Sequence, residues 1–185
     1  EIHQKLQLTE SPYLELRALA GMGKTAIVAE LYGKYGTRDD IPWPLNEKQL
    51  PESLPPDRDR WAFHFCMNRE GHDAPIVALQ SIVAQLCDGA ALKRNDYFSN
   101  DLQTQRQKLF DCLDKVKEQL NPDKRVYICI DALDEGIPSS GNKSVPRALP
   151  GEGEDEPVIP KGVVFLVSHR VDEKGHGRAD EYIDH

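Results

Sequence analysis

The sequence predicts an α/β protein, a mainly parallel sheet with helices on both faces. Three observations predict it. Apolar runs of strand length alternate with longer stretches of helical period. Two runs, RVYICI at 125–130 and GVVFLV at 162–167, are almost continuously apolar, as strands covered on both faces must be. The residues with most chemical reach follow strand ends, at 21–25, 131–135 and 168–170, where ligands bind in such sheets.

The elements follow in order. Residues 13–19 (YLELRAL) alternate and read as a strand. A turn, AGMG, leads into KTAIVAELYGKYG. There Ile27, Val28 and Leu31 share one helical face, and Gly36 suits a C-terminal cap. Residues 37–60 contain five prolines and many charges without a sustained period, so they read as a long loop. Residues 61–66 (WAFHFC) form a short strand. Residues 74–87 form a helix, with Pro75 in its first turn and Ile76, Leu79, Val83 and Leu86 as its apolar stripe. Residues 101–120 form a longer helix with Leu102, Leu109, Leu113, Val116 and Leu120 at helical spacing; a core-facing helix is favoured over a brief coiled coil. The strand at 125–130 ends in Asp131. Residues 136–161 read as a second long loop, its acidic cluster Glu152–Glu156 a solvated one. The strand at 162–167 ends at Ser168, His169 and Arg170, and a polar tail runs from Val171. There are no internal repeats.

A length of 185 residues suits one domain with a buried core. Residues 1–185 are therefore read as a single, partial domain. The net charge of −8 argues against a general affinity for nucleic acid, which needs a positive footprint. A local phosphate pocket remains compatible with it. No apolar run is long enough to span a bilayer, and no signal peptide is visible. The chain begins at Glu1, close to its first strand, and reads as an excised piece of a longer protein. Cys66, Cys87, Cys112 and Cys129 form no CxxC pair and read as reduced structural thiols, which favours a cytoplasmic protein. The six histidines lack zinc-type spacing.

The first chemical motif is the glycine loop between strand and helix, Ala20, Gly21, Met22, Gly23, Lys24 and Thr25. Phosphates require many donors and little bulk. Glycines let consecutive N–H groups turn inward, and a helix N-terminus adds its positive dipole end. Lys24 can reach the β and γ phosphates, and Thr25 can offer its hydroxyl to Mg²⁺. The longer form of this pattern places glycine at position 18, where this chain has Ala18, whose Cβ is expected to crowd the loop.

The second motif is DALDE at 131–135. Magnesium needs hard oxygen ligands, and an Asp131 beside a metal explains a carboxylate at the end of an apolar strand. Glu135 is the favoured candidate for polarising an attacking water, with Asp134 beside it. Arg170, after the next strand, can sense or stabilise a γ-phosphate.

Together, AGMGKT, WAFHFC leading into a helix that ends in AQLC, VYICIDALDE and VVFLVSHR resemble the NACHT-like branch of the STAND ATPases. These are signal-transduction P-loop NTPases of the additional-strand class. The resemblance spans about residues 13–170. It implies a three-layer P-loop fold with the strand at 125 beside the strand at 162 and the glycine-loop strand beyond the latter. It also implies an ATP- or ADP-operated switch that hydrolyses slowly and self-associates as part of a larger signalling or defence protein. On matching positions it implies phosphate binding at Gly21–Thr25, magnesium and water handling at Asp131, Asp134 and Glu135, and a sensor role at Arg170. The family's fifth strand, helical and winged-helix segments and sensor repeats are not found in this sequence. Two other functions compete: a P-loop phosphotransferase acting on a small molecule, and a degenerate nucleotide-binding module without turnover.

Overall fold

The computed structural model describes residues 6, 9–36, 54–67, 74–136, 144–149 and 158–176. Four strands, β1 (Tyr13–Ala18), β2 (Arg60–Phe65), β3 (Val126–Asp131) and β4 (Val163–Arg170), form one sheet in the order β1-β4-β3-β2. Every pairing is parallel. The helices are α1 (Lys24–Tyr35), α2 (Pro75–Gly89), α3 (Leu102–Glu118) and the short α4 (Val145–Ala148). α1 covers one face of the sheet, and α2, α3 and α4 cover the other. This is a three-layer α/β fold, and β3, β4 and β1 are neighbours in the order that the resemblance implies.

The central strands anchor it. All of β3 is buried, and β4 is buried up to Arg170. Val126, Ile128 and Ile130 face α2 and α3, while Tyr127 and Cys129 face α1. Full burial of each such aliphatic side chain contributes about 1.5–3 kcal/mol, so these two strands supply much of the driving force.

On the α1 face the packing is aromatic. Tyr35 stacks on Trp61 at 4.4 Å, and Trp61 stacks on Tyr127 at 4.3 Å. Tyr32 meets Phe63 edge-on at 5.3 Å. The inward face of α1 is therefore Val28, Leu31, Tyr32 and Tyr35, and only Val28 is fully buried. Ile27, expected on that face, is not part of this cluster: the aromatics of β2 select the tyrosines. Gly36 does end α1, but in an extended conformation, with its N–H donating to Tyr32 O at 2.7 Å.

Several boundaries differ from expectation. Arg60, read as loop, is the first residue of β2 and is buried. Its guanidinium donates to the carbonyls of Leu54, Pro55 and Arg58, tying that stretch to the sheet. Within 136–161, read as loop, α4 packs Val145 and Ala148 into the core. Residues 37–53, the cluster Glu152–Glu156 and the tail beyond 176 lie outside the described residues. The four cysteines are buried and form no disulfide among the described residues. Cys87 and Cys112 bring their sulfurs to 3.8 Å between α2 and α3. Among the described residues no helix is long and apolar enough to cross a membrane.

Candidate functional site

Strand parity sets the site. Side chains alternate across a sheet, so Tyr127, Cys129 and Asp131 share a face with Val164, Leu166 and Ser168. That face is the one covered by α1. The carboxyl end of β1 feeds the glycine loop into α1 on the same side. Three strand ends thereby converge on one open cavity of about 780 Å³. Ala20, Gly21, Met22, Gly23, Lys24 and Thr25 line it together with Asp131, Asp134, Glu135 and Arg170.

The loop is built for close approach. Gly21 and Gly23 have φ of 77° and 82°, a region that L side chains rarely adopt. Gly23 caps α1 without a side-chain hydrogen bond, and the first turn of α1 carries no acidic residue. The helix N-terminus thus presents its donors and dipole with no competing carboxylate of its own. Lys24 Nζ donates to Ala18 O at 2.7 Å and to Leu19 O at 3.0 Å, which bends the side chain back over the loop. An ammonium has three donors, so one remains for a ligand. Met22 is 68% exposed at the cavity mouth.

Ala18 ends β1, paired with Arg170, and is not among the positive-φ residues. Its backbone conformation therefore does not require glycine.

Asp131 is 3% exposed. Its Oδ1 accepts a hydrogen bond from Ser168 Oγ, which in turn accepts from Ala132 N at 3.0 Å. Ala132 lies at φ 54°, an uncommon left-handed conformation for alanine. The chain then turns into a short 3-10 helix, Leu133–Gly136, which presents Asp134 and Glu135. Asp134 Oδ1 accepts from Arg170 N at 3.1 Å. The Arg170 guanidinium pairs with Glu135 Oε1 and lies 3.6 Å from Asp134 Oδ2. Arginine and acidic pair therefore hold one another at the cavity rim.

Ser168, His169 and Arg170 belong to β4; they do not follow it. The apolar run ends at Val167, but pairing with β1 continues through Leu16–Ser168, Arg17–His169 and Ala18–Arg170. His169 points to the opposite face, fully buried, with Nε2 2.9 Å from Glu15 Oε2. It is not part of the cavity. Sequence reasoning missed Phe65, Cys66 and Met67, which line the cavity from the end of β2. Their signal was positional: they too end a parallel strand.

A family model described as Nephrocystin 3, N-terminal, matches residues 1–149. The chain belongs to this family. The match takes in β1 through α4, hence the glycine loop and the Asp131–Glu135 turn, and stops before β4. No curated protein and no solved structure matches the chain.

Proposed function

We propose that this chain is an ATP- or ADP-binding, slowly hydrolysing switch module of a larger signalling or defence protein, a P-loop NTPase of the NACHT-like STAND type. One observation carries the reading: a glycine loop at a helix N-terminus, a buried aspartate and an arginine-paired glutamate share one cavity at the ends of parallel strands. Its volume of about 780 Å³ falls in the range of ligand sites.

The roles follow from chemistry. Backbone N–H groups from Ala20 to Thr25 would cradle phosphate oxygens, and Lys24 would add its remaining donor. Among the described residues, no three His, Cys, Asp or Glu side chains cluster as a metal site. A cation would thus need phosphate oxygens as ligands beside the Thr25 hydroxyl and Asp131, which is how magnesium is commonly held in nucleotide sites. Bound there, it would neutralise phosphate charge. Glu135 is the candidate to orient a water, and Arg170, half-exposed at the rim, can exchange its carboxylate partner for a γ-phosphate. Cytoplasmic location and self-association through the longer protein complete the proposal.

Titration of fluorescent ATP with Mg²⁺ into the chain and into Lys24→Ala tests it. The variant should bind at least tenfold more weakly; equal affinities refute the reading. Phosphate release without an added acceptor separates this reading from the phosphotransferase.

A further inference from the structure

Ser168 has a defined place that the proposed reaction does not use. It lies one residue beyond Val167, the last β4 partner of β3, and so sits level with Asp131. Its side chain is on the α1 face and 1% exposed. A hydroxyl has one proton to give and two lone pairs. The proton goes to Asp131 Oδ1, and one lone pair takes the N–H of Ala132 at 3.0 Å.

These two bonds act on different parts of the site. The first fixes the rotation of a buried carboxylate. A carboxylate offers about four acceptor positions, so one donated bond leaves capacity for a cation or its waters. The second bond satisfies the first N–H after β3, at the residue whose positive φ redirects the chain toward Asp134 and Glu135. Without that acceptor, the left-handed turn loses a partner that offsets its cost.

We infer that Ser168 is a positioning residue: its hydroxyl orients Asp131 toward a cation and holds the turn that carries Glu135. The inference rests on the nucleotide reading above and deepens it. Removing a hydrogen-bond partner of a metal-binding carboxylate typically costs about 10–100-fold in metal affinity. The effect should therefore fall on the magnesium-dependent part of binding and spare the phosphate cradle.

The experiment measures fluorescent-ATP affinity in Mg²⁺ and in EDTA for the 185-residue chain and for Ser168→Thr, Ser168→Val and Ser168→Ala. Threonine and valine share a shape that suits a strand, but only threonine keeps the hydroxyl. The ratio of the two affinities should drop about tenfold in S168V and S168A and be retained in S168T. Affinity in EDTA should stay within about twofold throughout, as expected if the lost bond belongs to the metal side alone. An S168V ratio equal to that of S168T overturns the inference and leaves the nucleotide reading intact. A wild-type chain that binds no nucleotide overturns both. If S168V fails to fold, S168A carries the comparison. If S168A also fails to fold, Ser168 is structural and the positioning role is overturned.

Discussion

Tyr127 carries a hydroxyl that the described residues around it do not satisfy. The side chain is fully buried in β3 beneath Trp61, and its oxygen has no hydrogen-bond partner among the described residues. A buried polar group without a partner costs about 1–3 kcal/mol. Tyr127→Phe keeps the ring stacking and should raise stability by about 1 kcal/mol, read as a higher urea midpoint at unchanged slope. A lower midpoint would show that the hydroxyl is bonded. Burial, with the Asp59 carboxylate adding, pushes Tyr127 from its ordinary 10.0 up to about 12. The sign follows from proton linkage. Between these values the unfolded chain loses the phenolic proton before the folded one does, so stability falls as pH rises. The contribution is whole below pH 10 and is lost through about 12. The stability difference between wild type and Y127F should thus widen over that window, measured by denaturation at stepped pH.

At the scale of elements, β2 is an edge strand, and its outward backbone groups need partners. Gln85, on α2, supplies them: Phe63 N donates to its Oε1 at 2.9 Å, and its Nε2 donates to Phe63 O at 2.8 Å. A side-chain amide here takes the place of a neighbouring strand, which both docks α2 and blunts the edge. Gln85→Ala should destabilise the chain by about 2 kcal/mol, the cost of orphaning a donor and an acceptor at a largely buried strand. Chemical denaturation measures this, and a change under half that size would mean that water replaces the amide at no cost. The elements themselves were legible. Each predicted strand and long helix exists with shifts of one to three residues at its ends, because hydropathy runs mark what is buried and not where pairing stops. α1 is the exception in orientation. Its apolar pattern is weak, and aromatic partners on β2, distant in sequence, decided which side faces in.

The cavity is a property of the whole molecule. Residues 20–25 meet Asp131, Asp134, Glu135, Ser168 and Arg170 only because β4 lies between β1 and β3. A ligand that binds only the folded chain stabilises it by mass action, about 2.7 kcal/mol at a concentration of 100 Kd. For a chain of this size that corresponds to roughly 5–10 °C in melting temperature. ATP with Mg²⁺ should produce such a rise. Glu135→Gln should keep the rise while phosphate release falls at least tenfold. Turnover that is unchanged in E135Q would remove Glu135 from the chemistry, and absence of release from both proteins would favour a module that binds without hydrolysing.

What the sequence by itself determined is local and periodic. The α/β class follows from alternating runs, the parallel sheet from strands apolar on both faces, and the glycine loop from two glycines between a strand and a helix. Glycine at 21 and 23 answers to two positive φ values, a requirement of the loop alone. What only the tertiary structure decided is everything that depends on neighbours far along the chain. Ala18 is extended because strand pairing with Arg170 holds it so. Arg170 is partnered by Asp134 and Glu135 because β3 and β4 are adjacent. Ser168 meets Asp131 and His169 does not, because one residue of register turns a side chain to the opposite face of the sheet.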